Sequence, residues 1–269
     1  MPNATESDVA AVDLVRSSIS AETDIGRSTT SKSRYFIPPH VHACATPDSV
    51  ILLDVRHDRY VGISLSEASR LAELVSDWPR CPTATPPCDH TPVDELAATL
   101  QHEGLLVTNP SSDSCPRALS LTTTRSLTSI GYDLQGHATI QALDVLRFLS
   151  ACIATKMALK HGTLEAALMR VQKRKSARGR CETSFDVSLA TQLVCKFMRL
   201  RVYAYSAKDA CLFHALCLMD FLAKYGVFPT FVIGVKTSPF AAHSWVQHDG
   251  YVLDATPEEV CFYTPIFAV

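Results

Sequence analysis

The sequence has no long hydrophobic run. Nowhere do about 18 apolar residues follow one another, the length that a membrane-spanning helix needs, and the most apolar stretch, TFVIGV, is followed by Lys236. Residues 1–33 mix Ser, Thr, Ala and charges of both signs without an apolar core, so they are predicted to be a mobile extension rather than a signal peptide. We therefore expect a soluble protein of the cytoplasm without a membrane span.

The chain also lacks an excess of positive charge, with 25 Lys and Arg residues against 27 Asp and Glu residues. Proteins that bind nucleic acid usually gather a basic excess on one face, so this partner class is not expected. One basic segment, KRKSARGR at 173–180, is predicted to be a solvated surface loop. A docking patch for an acidic partner or a nucleotide is the alternative.

Close cysteine doublets are absent as well, although the chain contains ten cysteines. Without an export signal, most of them should be reduced thiols. The C-x2-C doublet typical of zinc sites does not occur, and CPTATPPC spaces Cys81 and Cys88 too widely for one. His40, His42 and Cys44 in HVHAC are expected on a solvated strand face, with metal ligation as the less favoured interpretation. No metal site is predicted.

What the chain does contain is enough apolar material, 47% of residues, for one large domain or two smaller ones. Residues 34–110 predict an α+β module. Three β-rich segments are followed by a helix, and the S-x-x-E capping box of Ser64 and Glu67 marks the start of that helix. A Pro-rich loop, a second helix from Thr91 to Gly104 and a short LLVT strand complete it.

A linker is predicted at 111–124, where Ser, Thr and Pro are frequent, and a second domain at 125–269. This domain begins with helices of 3-to-4 apolar spacing. One ends at Gly162, and another is expected to be capped by Ser184 or Asp186.

The segment KDACLFHALCLMDFLAKYG combines a cysteine with the mouth of an apolar helix. Ser206 and Asp209 form another capping-box pattern, which places Cys211 in the first helical turn or just beyond it. There the positive end of the helix dipole lowers a thiol pKa and favours the thiolate. Cys217 lies in the helix body without that advantage. A cysteine in an apolar helix is also a common core residue, so Cys211 alone does not decide between core and nucleophile.

A hairpin follows in AAHSWVQHDGYVLDAT, because Asp249-Gly250 is a strong signal for a two-residue turn. This register makes His243 and Asp254 diagonal cross-strand neighbours, about 7 Å apart. A carboxylate at that distance is able to orient an imidazole that acts as a general base. A purely structural His–Asp pair is the alternative, but with Cys211 upstream the set of nucleophile, base and orienting acid is complete.

The order of these residues resembles that of the transglutaminase-like cysteine hydrolases. More narrowly, residues 211–254 resemble the leader peptidase, or B protein, of lasso-peptide biosynthesis, through a C-L…G…F-x-I-G-V…F-x-A-H-x-W-V…G…D pattern. Upstream, ILLDVRHDRYVGISLSEASRLAELV resembles the small PqqD-like element that recognises leader peptides. Together the two resemblances cover the chain from about residue 36 to its end.

The resemblance implies an α+β protein: a winged-helix-like recognition domain followed by a transglutaminase-like, papain-like cysteine protease domain. The family's triad falls on Cys211, His243 and Asp254. Its reaction separates leader from core in a ribosomally made precursor before an asparagine-synthetase-like cyclase closes the macrolactam. No cofactor is expected to bind this chain directly, and the activity is expected to be coupled to ATP through the cyclase.

Four further residues are candidates for roles around this chemistry. Gln192 is the candidate for a second oxyanion donor beside the backbone N–H of Cys211. Tyr60, Val61 and Leu96 are candidates for leader binding, by addition of a strand beside RYVGI, though each is equally compatible with the core. Two other functions stay open: an amide transferase using the same triad, and a leader-binding subunit without catalysis.

Overall fold

We describe the protein from a computed structural model. The described residues are 35–80, 93–109, 125–126, 139–177, 186–205 and 210–269. The chain divides after Ala118 into two compact units, which are described separately. The Pro-rich loop, the helix start at Thr91 and Pro92, and the capping-box pair Ser206 and Asp209 were predicted from the sequence but lie outside the described residues.

The first unit contains the three predicted strands as an antiparallel sheet of order β2-β3-β4. A short strand β1 (Tyr35–Phe36) is followed by β2 (Val41–Ala45), β3 (Ser49–Asp54) and β4 (Arg59–Ser64). The central strand β3 is buried along almost its whole length, as its continuous apolar sequence requires. Strands β2 and β4 form the two edges of this sheet in the described part of the chain.

Two helices cover the sheet. Helix α1 (Leu65–Leu71) begins at the predicted capping box, in which Ser64 and Glu67 satisfy each other's backbone N–H groups. Strand β5 (Val75–Ser76) pairs with β1, and α2 (Val93–His102) follows. The predicted LLVT strand forms a single bridge between Val107 and Phe36 in the described residues, and Leu105 and Leu106 lie in the core.

In the part of the chain that the structure describes, the second unit begins with β6 (Arg125–Ser126) and four helices. These are α3 (Ala142–His161), α4 (Leu164–Ala177), α5 (Val187–Arg201) and α6 (Cys211–Ala223). The predicted helix end at Gly162 and the Asp186 cap are confirmed.

The first part of the basic segment 173–180, up to Ala177, is helical and not the predicted loop. Helix α4 continues through it, and Lys and Arg are good helix formers. Arg174 forms an ion pair with the buried Asp220 of α6, so part of the basic run serves internal packing rather than a partner.

A mixed five-stranded sheet completes the second unit. Its members are β7 (Thr230–Thr237), β8 (Phe240–His248), β9 (Tyr251–Val252) and β10 (Thr264–Ala268), with a short helix α7 (Pro257–Val260) before the last strand. The strand order is β10-β7-β8-β9-β6, and β6 runs parallel to β9. Asp249 and Gly250 both have positive φ between β8 and β9, which confirms the predicted hairpin turn.

Helix α6 is the centre of this unit. From His214 to Leu222 every residue is buried, because the helix packs against α3 and α5 on one side and β8 on the other. Aromatic rings of α3, α5 and α6 meet edge to face, with Phe148 and Phe197 at 5.4 Å. This packing holds the first residue of α6 beside strand β8. No helix in the described residues is both long and apolar enough to cross a membrane.

Candidate active site

Cys211 is the first residue of helix α6, so its predicted place at a helix mouth is confirmed. The residue before it, Ala210, has no side chain able to cap the helix. The N–H groups of the first turn and the positive end of the helix dipole lie at the thiol. The side chain is partly exposed, unlike those of residues 214–222 in the same helix.

The edge of strand β8 brings the other groups to this thiol. Strand β9 pairs with β8 only as far as Gln247 and Val252. Beyond that pair, the N–H of Val246 donates to Asp254 Oδ1 at 2.8 Å instead of to a strand carbonyl. Along a strand, N–H groups two residues apart point to the same edge. The N–H of Ser244 accordingly hydrogen-bonds to the sulfur of Cys211.

The imidazole of His243 is held between this edge and two aromatic rings. It stacks on Trp245, with centroids 6.2 Å apart, and lies 5.3 Å from the ring of Tyr263. The cross-strand partner of His243 is Gly234 on β7, and the Trp245 ring lies against the backbone at Gly234. The ring is also hydrogen-bonded to Cys211.

The thiol and the imidazole tune each other. Burial opposes ionisation of Cys211, but the hydrogen bonds from His243 and Ser244 outweigh it and lower the pKa of Cys211 to about 7. Burial likewise opposes a charged His243, but the interaction with Cys211 and the charge of Asp254 raise the pKa of His243 above its ordinary value. The lowered pKa of the thiol and the raised pKa of the imidazole both favour transfer of the proton from Cys211 to His243.

Asp254 follows the hairpin and faces the same cavity. Its dense protein surroundings raise the pKa of Asp254 to about 7, although the Val246 N–H and the charge of His243 act in the opposite direction. Asp254 acts on His243 through its charge, and its Oδ1 is fixed by the strand backbone. The carboxylate thus belongs to the group that the sequence predicted.

A cavity of about 540 Å³ opens above these side chains. Basic and acidic side chains from several elements line the cavity together with aromatic and apolar side chains. Its lining residues are Met198, Arg201, Cys211, His214, Lys236, His243, Ser244, Asp254, Ala255, Glu258, Glu259, Phe262 and Tyr263. The volume is typical of a site for a small molecule or a few residues of a peptide.

Cys217 shows how different a thiol in the helix body is. It is fully buried, and hydrogen bonding to Cys152 together with burial raises its pKa far above the ordinary range. The two cysteines of CLFHALC are thus separated by environment, one inert in the core and one ionisable at the helix mouth.

Gln192 does not lie with these residues. It is exposed, and α5 reaches the cavity through Met198 and Arg201 instead. Nine residues separate Gln192 from Arg201, which is two and a half turns, so they lie on opposite sides of the helix. Arg201 follows Met198 by three residues, so the two share one face of α5, and a helical wheel of this segment would have placed Gln192 on another face.

Ser244 and His214 also line the cavity and were not predicted from the sequence. The alternation of β8 describes the two faces of the strand and not its edges, so it gives no signal for a backbone contact of Ser244 with the thiol. His214 lies one turn after Cys211, with its Nδ1 3.1 Å from the hydroxyl of Tyr205. Burial lowers the pKa of His214 to about 4, so this ring is neutral at pH 7.

The three candidate leader-binding residues lie in the first unit. Val61 and Leu96 are partly buried and pack against its core, whereas Tyr60 lies on the other face of β4. The HVHAC segment forms part of β2, with Cys44 buried and facing Ile51. Its expected solvated face is therefore wrong for Cys44. Among the described residues, no cluster of three or more His, Cys, Asp or Glu side chains is arranged to hold a metal ion.

A thiol at a helix start, an imidazole on a strand edge and a carboxylate after the next strand are an arrangement consistent with cysteine-dependent hydrolases and acyl transferases. The comparison with protein families agrees: residues 151–268 match the transglutaminase-like superfamily. The C-terminal part of the chain is thus a transglutaminase-like domain. Searches of curated proteins and of solved structures gave no match.

Proposed function

We propose that this protein is a cysteine endopeptidase that removes the leader from a ribosomally made lasso-peptide precursor. Cys211 is the nucleophile, His243 the general base and acid, and Asp254 the orienting carboxylate. The proposal rests on the transglutaminase-like domain and on the family pattern in residues 211–254.

One observation carries the catalytic part of the proposal. The Cys211 sulfur is hydrogen-bonded to His243 at a helix start, and its pKa is lowered to about 7 despite burial. A structural core cysteine shows the reverse, as Cys217 does in the same helix. An ionisable thiol beside an imidazole, open to a cavity, is the arrangement that nucleophilic catalysis needs.

The chemistry follows from these positions. The Cys211 thiolate attacks the carbonyl carbon at the leader–core junction, and the oxygen becomes an oxyanion near the free N–H groups at the start of α6. His243 gives its proton to the core amine as the C–N bond breaks, which leaves a thioester on the leader. His243 then takes a proton from water, the hydroxide attacks the thioester, and the leader leaves as a carboxylic acid while the thiol is restored.

Leader recognition is assigned to the first unit, as a winged-helix-like, PqqD-like domain. Strand β4 is an edge of its sheet in the described part of the chain, so its backbone is placed to pair with an added strand. Tyr60 on β4 is the candidate for direct contact with the leader. Val61 and Leu96 support the same edge from the core side.

The partner of this reaction is an asparagine-synthetase-like cyclase that uses ATP. Removal of the leader frees the amine that the cyclase joins to a side-chain carboxyl of the core. We therefore expect cleavage to be efficient only when the cyclase and ATP are present, with all three components in the cytoplasm.

Mass spectrometry of a precursor incubated with the protein, cyclase and ATP tests the proposal. Wild-type protein should release free leader, and Cys211→Ala should release none. Cys261→Ala is the matched control, because this exposed thiol lies outside the cavity and should be dispensable. Cleavage by Cys211→Ala would contradict the assignment.

Two other outcomes identify the alternatives. Leader transferred to an added amine rather than to water would indicate an amide transferase. Intact precursor in every reaction, together with tight leader binding, would indicate a binding subunit.

A further inference from the structure

Ser244 has a buried side chain whose position the triad does not explain. It is 5% exposed, lines the cavity and follows His243 directly on β8. Among the described residues, no hydrogen-bond partner of normal geometry lies within reach of its Oγ. A buried hydroxyl in that state costs stability, so a structural role alone does not account for it.

The surroundings of this hydroxyl point to the thiol. Ser244 and Cys211 line the same cavity, and the backbone N–H of Ser244 is hydrogen-bonded to the thiol. The Ser244 side chain itself adds to the lowering of the thiol pKa. A hydroxyl hydrogen turns freely about its C–O bond, so it is able to aim at a sulfur that gains negative charge.

We propose that Ser244 is a positioning residue for the nucleophile: its Oγ–H and its backbone N–H both donate to the Cys211 thiolate and hold it at the edge of β8. The hydroxyl lacks a good partner while Cys211 is a neutral thiol, which is a weak acceptor. It gains one when the thiol ionises, because hydrogen bonds to a charged acceptor are stronger. The side chain thus favours the reactive form of Cys211.

Other titratable groups surround the thiol, and a substitution at Ser244 does not remove any of them. His243 and Asp254 lie on the hairpin, His214 on α6 and Arg201 at the end of α5. Lys236, Glu258, Glu259 and Tyr263 complete the titratable groups of the cavity. Replacing the hydroxyl alone leaves all of them in place, so its contribution can be measured separately.

Alkylation of the full-length protein by iodoacetamide, followed at the Cys211 peptide by mass spectrometry from pH 5 to 9, tests the proposal. Ser244→Ala should move the midpoint of the Cys211 reaction to higher pH. A displacement of half a unit to one unit corresponds to a rate about threefold to tenfold lower at pH 6. Ser244→Thr, which keeps the hydroxyl, should restore the wild-type midpoint.

Stability and a control variant separate this role from a structural one. At pH 5, where Cys211 is protonated and the Ser244 hydroxyl lacks a good partner, Ser244→Ala should have a thermal unfolding midpoint equal to or higher than that of the wild type. Thr191→Val removes another buried hydroxyl, on α5 outside the cavity, and should leave the alkylation midpoint unchanged.

An unchanged alkylation midpoint in Ser244→Ala would overturn the proposal, even if precursor cleavage became slower. The inference rests on Cys211 as the nucleophile of the proposed function but not on the substrate. Alkylation needs neither precursor nor cyclase, so failure of the lasso-peptide assignment would leave this result interpretable.

Discussion

At the scale of single residues, the site combines three ionisable groups, and the pKa of each is displaced from its ordinary value by its surroundings. The thiol is made more acidic and the imidazole more basic by their mutual hydrogen bond. The carboxyl group is made less acidic by its protein surroundings, with a pKa of about 7. Ionising Asp254 therefore costs folding free energy, and the gain is a charge that favours protonated His243.

Asp254→Asn should separate the folding cost of ionising Asp254 from the effect of its charge on His243. The asparagine Oδ1 is still able to accept the Val246 N–H, so the hairpin should keep its geometry. Without the negative charge, His243 is a weaker base, and the rate of precursor cleavage should fall roughly 10²- to 10⁴-fold. Leader binding should be unchanged, which a binding assay with the isolated leader peptide would show.

The same variant should change the dependence of stability on pH. The pKa of Asp254 is raised on folding, so its stabilising contribution is full below about pH 4 and is lost as pH rises through about 7. Between pH 5 and pH 8, wild-type protein should therefore lose more stability than Asp254→Asn. Equal losses in the thermal unfolding midpoints of the two proteins would contradict a raised pKa.

At the scale of elements, the β7–β8 ladder places the His243 imidazole through a close contact. A Cβ atom on Gly234 would lie 2.7 Å from two ring atoms of Trp245 and 3.0 Å from the Cβ of Tyr263. Gly234 is also the cross-strand partner of His243, and His243 stacks on Trp245. The absence of a side chain at Gly234 thus lets the Trp245 ring lie where it supports the imidazole.

Gly234→Ala should disturb both stability and catalysis. The added methyl group forces Trp245 and Tyr263 apart, at a cost of about 1–3 kcal/mol of unfolding free energy. The displaced rings should also move His243 and lower kcat. Urea unfolding and precursor cleavage measure the two effects.

A second glycine on a strand provides the control. In Gly62→Ala the new Cβ lies 3.5 Å from Ile51 Cδ1, an ordinary contact, so this variant should keep its stability. If both glycine variants unfolded at the same urea concentration as the wild type, the close contact at Gly234 would carry no strain.

At the scale of the whole molecule, recognition and cleavage are assigned to different units of the chain. The sheet edge proposed to bind the leader lies in the first unit, whereas every residue lining the cavity lies in the second. Two functions on separate units should respond separately to substitution.

Tyr60→Ala tests this separation. Loss of a leader contact should raise KM for the precursor and leave kcat almost unchanged, because the chemistry at Cys211 is not altered. Cys211→Ala should do the opposite, abolishing turnover while binding the leader peptide with wild-type affinity. A fall in kcat alone for Tyr60→Ala would argue against leader binding at β4.

The sequence by itself determined the elements that carry local signals. The Ser64–Glu67 capping box, the Asp186 cap and the Asp249-Gly250 turn were all predicted and are present. The hairpin turn also set the register that brings Asp254 towards His243. These features depend on residues a few positions apart, whose hydrogen bonds and backbone angles are fixed before distant parts of the chain meet.

Only the tertiary structure decided which side chains surround the thiol. It placed Ser244, His214 and Arg201 at the cavity and left Gln192 exposed on α5. It also continued helix α4 through the basic segment, where Arg174 meets Asp220. The physical reason is that these contacts depend on where β9 stops pairing with β8 and on how the helices pack around α6. Neither leaves a periodic pattern in the sequence.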